Sequence, residues 1–243
     1  MSLSAASCAR PPEPMSTDAP FASPQVAPLA DAVARDDGAE VRRQLASGIA
    51  ADTPGSDGTT LLQWAAKGGK LEAAEALLDA GADPNRPASK GTAAVHVAAF
   101  SGNGEMLALL LARGGDPDAT NATTGETPLV RAILGGHPQQ VRRLLDAGAD
   151  PSRADRNGAT PLHAAASVND GATVLALLEA GAPATAENSR GDTFQPYYFQ
   201  LPDARLHERA RGERARVVAW LKAHGVPLER EAGAAGRDGS GTP

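Results

Sequence analysis

In the stretch Ala159–Ala182, "ATPLHAAASVNDGATVLALLEAGA", apolar and polar positions trace two short helices joined by a tight break. Thr160 then Pro161 suit a first helical turn, because the N–H that proline lacks would be unpaired there anyway. Ala164, Ala165 and Ala166 predict a thin first helix that neighbours can approach closely. Asn169-Asp170-Gly171 ends it. Val174, Leu175, Leu177 and Leu178 give a second helix its apolar face at helical spacing, and Gly181 closes that helix where a left-handed residue is usually required.

The arrangement recurs along the chain. Gly58, Gly91, Gly125, Gly158 and Gly191 follow one another at a nearly constant interval. Gly48, Gly81, Gly114, Gly148 and Gly181 form a second series with the same interval, each after an "LL-x-x-G" or related ending. A period of about 33 residues with two helices per unit predicts stacked repeats, in which a unit buries its apolar face only against its neighbours.

The sequence motifs carry a resemblance. "TPLHAAA" at Thr160–Ala166, "ETPLVRAI" at Glu126–Ile133, "AVHVAA" at Ala94–Ala99 and "LLDAGADP" at Leu77–Pro84 and Leu144–Pro151 are similar to ankyrin repeats. The resemblance implies an all-α solenoid of about six stacked helix-turn-helix units. In that family each loop forms a β-hairpin-like finger with its neighbour. The expected units are a cap at 26–54, repeats at 55–87, 88–121, 122–154 and 155–187, and an atypical cap at 188–230, within a folded domain at 22–230. Leu29–Asp52 has the spacing of a first repeat without its Thr-Pro entry. The last unit closes only at Gly225, well past where the period after Gly181 would end it, so it carries an insertion at Gln200–Gly212. Five of the eight aromatics lie in this unit: Phe194, Tyr197, Tyr198, Phe199 and Trp220. A terminal repeat must cover an open apolar face, and an aromatic-rich unit does so. Residues 1–21 and 231–243 are rich in Pro, Gly, Ser and Ala and are expected to be disordered.

Composition narrows the picture. With aromatics at 3%, the core must be built from Ala, Leu and Val, which close-packed helices can do. The net charge of −6 argues against a nucleic-acid partner, which calls for a basic face. The Asp203–His224 segment is the local exception, six Arg or Lys against three Asp or Glu, and is expected to form one helix. Its stripe of Leu206, Ala210, Val217, Trp220 and Leu221 packs inward, leaving either a solvated outer face or a docking face for an acidic partner. A single cysteine permits no intramolecular disulfide. No apolar run is as long as a membrane-spanning helix requires.

Candidate chemistry is sparse. His163 and His96 occupy the place where the ankyrin pattern has a structural histidine bonded to the preceding threonine; the equivalent positions hold Gln63, Val130 and Pro196. Asp116, Asp118 and Thr120 have the spacing of a calcium loop, yet Asn121 stands where glycine is required and Thr127 where glutamate is. "KGGK" at Lys67–Lys70 lacks the other residues of a phosphate loop. No cofactor, metal or catalytic set is expected, and the chain is read as a non-enzyme.

The resemblance implies that a protein partner binds at the finger tips and on the exposed side of the first helices. Carried onto this chain, those positions are Trp64, Lys67, Lys90, Phe100, Thr124, Leu134, Arg156, Asn157 and Arg190. Phe100 and Leu134 place apolar groups on adjacent units where solvent is expected, which reads as an interface anchor. The alternative is that either tucks against a neighbouring finger, and Trp64 is open to both readings. "LSAASCAR" around Cys8 resembles the cleavage box of a bacterial lipoprotein, which implies a lipid anchor at Cys8 and a periplasmic location. The charged, apolar stretch that precedes such a box does not stand before it, so a chance match in a cytoplasmic protein is the alternative. A monomer is expected. The Ala- and Arg-rich repeats, "LLQWAA" and the "GDTFQPYYF…VVAWLKAHGVP" ending are similar to bacterial ankyrin proteins encoded beside secreted antibacterial toxins. That likeness implies an immunity protein; the alternative is a periplasmic adaptor supporting a client enzyme such as a catalase.

Overall fold

The computed structural model describes residues 20–88 and 90–229. Cys8, Ser89 and the tail 231–243 lie outside the described residues.

Six helix pairs follow one another: α1 (Ala27–Ala34) and α2 (Gly38–Ala46), α3 (Leu61–Gly68) and α4 (Leu71–Asp79), α5 (Ala94–Ser101) and α6 (Gly104–Ala112), α7 (Pro128–Leu134) and α8 (Pro138–Asp146), α9 (Pro161–Ser167) and α10 (Gly171–Glu179), α11 (Gln195–Tyr198) and α12 (Glu208–Ala223). The first helix of each pair packs on the first helix of the next, making an inner layer; the second helices line the outside. Caps set the boundaries. Thr60 and Thr127 accept the N3 backbone N–H of α3 and α7, and Asn103 and Asp170 do so for α6 and α10.

The periodic apolar positions form one continuous core. Leu29, Leu62, Val95, Leu129 and Leu162 stand at one register position of the inner helices, and Leu77, Leu110, Leu144 and Leu177 at one position of the outer helices. All are fully buried. Burying each such side chain contributes about 1.5–3 kcal/mol relative to leaving it exposed. The alanines beside them, Ala65, Ala98, Ala132 and Ala165, are equally buried and let the inner helices approach closely.

The loops form fingers joined edge to edge. Within a finger Asp155 N–H bonds to Ala159 O and Asn188 N–H to Asp192 O; between fingers Ala122 N–H bonds to Gly91 O, Arg156 N–H to Thr124 O and Ser189 N–H to Asn157 O, at 2.8–3.0 Å. The hairpin character is slight: among the described residues the sole β pairing is the Pro54–Thr60 bridge.

Both ends differ from the sequence expectation. Phe21, which composition placed in the disordered segment, belongs to the core: it is 2% exposed and its ring meets that of Trp64 edge-on at 5.9 Å. At the other end the expected Asp203–His224 helix is broken. A 3-10 turn at Asp203–Arg205 is followed by extended Leu206, and α12 starts only at Glu208. The break has a local cause, since the His207 ring accepts the Ala210 N–H and caps the helix, while Leu206 turns into the core. Burial also pushes the Tyr198 hydroxyl in this cap up to about 12.

Candidate functional site

The two histidines serve the frame. Ala93 N–H donates to Nδ1 of His96, and Thr160 N–H donates to Nδ1 of His163. Each Nδ1 is therefore an acceptor, so Nε2 carries the proton and donates it to the next finger, at Glu126 O (3.1 Å) and Asp192 O (3.0 Å). Gln63 repeats both bonds with its amide, to Thr60 N–H and Thr92 O. In the last unit Gln195, and not the register-equivalent Pro196, reaches Pro227 O and Glu229 N–H. Here α11 starts at Gln195, with Pro196 in its first turn.

Burial holds the His96 pKa below its ordinary value, with the Glu126 carbonyl partly opposing it. The folded state then resists a proton that the unfolded chain accepts near pH ~6.5. Stability from this site is full above that pH and declines as the pH falls below it. A His96→Gln variant keeps the two bonds, as Gln63 shows, and titrates nowhere. Its urea stability should fall less than that of the parent between about pH 6.5 and 5; equal slopes would remove His96 as a source of acid sensitivity.

The residues with calcium-loop spacing are engaged in backbone turns: Asp116 accepts Asp118 N–H, and Asp118 accepts Asp150 N–H from the next unit. Among the described residues, no group of three or more His, Cys, Asp or Glu could hold a metal ion, and no helix is long and apolar enough to cross a membrane.

The structure distributes the expected contact residues unevenly. Trp64, Lys67 and Lys90 meet around an open hollow of about 540 Å³ that Val97 and Pro20 help to line. Trp64 is half-buried, its edge held by Phe21. Asp57 at the hollow's rim is held below the usual carboxylate range by the Thr59 backbone N–H and hydroxyl, with a smaller pull from Lys90. At the tips, the backbones of Thr124, Arg156 and Asn157 are tied into the finger ladder, and Arg156 also donates to Ala122 O. Their side chains and that of Arg190 remain exposed.

Phe100 and Leu134 are 44% and 38% exposed and do not tuck under a finger. Two residues that the register argument passed over join them: Val168 at 45% and Leu201 at 41%. Together they are the exposed large apolar side chains among the described residues, and they stand at or just past the C-terminal ends of α5, α7, α9 and α11. The helix ends touch their neighbours closely; a methyl group on Gly135 at the end of α7 would come within 2.7 Å of Phe100 O. Arg131 was also missed. One turn before Leu134, its guanidinium lies 4.4 Å above the Phe100 ring and 3.5 Å from Glu126. The three-residue spacing from Leu134 on one helix was the signal for it, whereas Val168 was hidden by its place in the Val-Asn-Asp-Gly break.

Stacked helix pairs joined by laddered fingers, with an exposed apolar line on one layer, define a repeat solenoid built to present a surface. The pattern described as "Ankyrin repeats (3 copies)" matches residues 29–121 and, overlapping it, 95–188. The chain belongs to the ankyrin-repeat family, whose members are generally protein-binding modules. No curated protein matches it.

Proposed function

We propose that the chain is a non-enzymatic module that binds one protein along the ends of its inner helices, and that this partner is a secreted toxin which it blocks. The observation that carries the binding surface is the apolar line of Phe100, Leu134, Val168 and Leu201 on four consecutive units. A soluble protein rarely leaves aligned apolar groups uncovered unless a partner covers them. Support for a toxin is the likeness of the repeats and of the C-terminal ending to ankyrin proteins encoded beside antibacterial effectors.

The test is affinity capture with the full chain beside a Phe100→Ser, Leu134→Ser double variant shown to be folded by circular dichroism. The parent should retain one protein, and the variant at least about tenfold less of it, since central apolar anchors are worth ~2 kcal/mol or more each. A captured hydrolase that loses activity on binding supports the immunity reading. A captured enzyme that keeps its activity points to an adaptor for a client enzyme instead. Equal retention by both forms removes this surface from the site.

A further inference from the structure

The chemistry of this surface narrows what can lie on it; the step rests on the protein-binding reading above. The apolar line has a regular spacing, because neighbouring helices pack about 8–10 Å apart. Phe100 and Leu134 are each the seventh residue of α5 and α7, and Val168 directly follows the last residue of α9, so the three recur at about one helix diameter. A partner must present apolar groups at a matching interval. Seven residues of α-helix rise about 10.5 Å, and three residues of strand about 10 Å, so spacing alone permits both.

Hydrogen bonding separates them. The inner layer offers helix ends and side chains, with no strand among the described residues to pair with. The finger backbones that could serve as an edge are occupied by one another, through Arg156 N–H to Thr124 O and Ser189 N–H to Asn157 O. An extended segment laid on the apolar line would leave its own N–H and C=O groups dry and unpaired, which is costly. A helix satisfies its backbone internally and brings only side chains.

Charge sets the rest. At the two-residue tips and the exposed inner-helix positions from α3 onward stand Lys67, Lys90, Arg131, Arg156 and Arg190 against Asp57. Of the carboxylates lower in the fingers, Glu126 is paired to Arg131, Asp155 accepts the Asn157 and Ala159 N–H groups, Asp192 accepts the Tyr197 hydroxyl, and Glu187 is exposed. Lys67, Lys90, Arg156 and Arg190 have no carboxylate within 4 Å among the described residues. The tips are thus locally basic on a chain whose net charge is −6. The tips lead into the N-terminal ends of the inner helices whose C-terminal ends carry the apolar residues, and Lys67 with Lys70 stands beside Trp64.

We propose that the partner docks as an amphipathic α-helix laid across α5, α7 and α9, with apolar side chains seven residues apart on Phe100, Leu134 and Val168 and acidic side chains turned toward the fingers. Steering by the cations aligns the helix, and the apolar contacts hold it.

The experiment selects random 20-residue peptides displayed on phage against the immobilised full chain, at moderate and at high salt. Enriched peptides are synthesised and titrated by fluorescence anisotropy against the parent, Val168→Asp and Lys67→Glu. Both substitutions are at exposed positions, and each variant is first checked for its far-ultraviolet spectrum and urea midpoint. The expected result is enrichment of acidic sequences with helical apolar periodicity. These should gain helix on binding and bind Val168→Asp about tenfold more weakly, and Lys67→Glu severalfold more weakly with the difference vanishing at high salt. Enriched peptides that are proline-rich, extended or uncharged overturn the helix proposal while leaving the protein-binding reading intact. An empty selection, or binding indifferent to both substitutions, overturns it as well. Failure of the protein-binding reading itself is read separately, from whole-protein capture.

Discussion

Gly125→Ala is expected to cost about 3 kcal/mol, lowering the thermal midpoint by roughly 6–12 °C for a domain of this size. Two effects add. Gly125 has φ +78, where a side chain costs about 1–2 kcal/mol. A Cβ there would also stand 2.8 Å from the Arg156 backbone nitrogen and 3.3 Å from Asp155 C, on the neighbouring finger. Making room displaces the Arg156 N–H from Thr124 O, a bond worth about 1 kcal/mol, and spreads two repeats apart. Gly148 separates the two contributions. Its φ is +88, yet nothing lies within 4 Å of its Cβ direction. Gly148→Ala should therefore lose only the conformational part, about 1–2 kcal/mol. Equilibrium urea unfolding of both variants decides the matter. Equal losses would mean that finger-to-finger contact contributes nothing beyond backbone conformation, and the ladder would not be what sets the approach of the repeats.

These two glycines also show how far the sequence could be read. Both belong to series that a ruler along the chain exposes, because each repeat needs the same unusual backbone at the same place. The core was legible for the same reason: Leu62, Leu129 and Leu162 share one register and one environment. What repeats can be read without neighbours in space. Val168 and Leu201 could not, since a single apolar residue in a polar break looks like loop until the structure shows it exposed, as Phe100 and Leu134 are, at or beyond the end of an inner helix. The place of Arg131 beside Leu134 was legible from their spacing on one helix, but its role was not, since the ring that it covers belongs to Phe100 on the preceding inner helix. Phe21 was misplaced because a low-complexity surrounding outweighed one aromatic whose partner, Trp64, is supplied by another unit. The surface on which a partner would rest is thus the part of the chain where the repeat is least regular.

The C-terminal unit carries this principle furthest, and its key residue is Arg214. The insertion that lengthens the unit cuts α11 to four residues and leaves its final carbonyls without partners from a following turn. Arg214, reaching back from α12, takes up that role. Its guanidinium donates to Tyr198 O at 2.9 Å, Leu201 O at 2.6 Å and Asp203 Oδ1 at 2.8 Å, and lies 5.5–5.6 Å from the ring centres of Tyr198 and Phe199. The side chain is 5% exposed whereas that of Asp203 is 68% exposed. The carboxylate is therefore well solvated and its pairing is worth little, under about 1 kcal/mol. The two carbonyls dominate. Arg214→Met keeps the apolar stem and removes the donors, leaving two backbone acceptors unsatisfied at about 1–3 kcal/mol each. A loss of about 2–4 kcal/mol is expected, with hydrogen-exchange protection falling first in α11 and the 3-10 turn. Arg214→Lys should restore less than half, because one ammonium cannot span acceptors that the planar fork reaches together. Asp203→Asn should cost under about 0.5 kcal/mol, as an exposed partner implies. If lysine restores full stability, or if the asparagine variant is as damaged as the methionine one, the site works as an ion pair. The cap would then be held by charge and not by the hydrogen bonds that a shortened helix gave up.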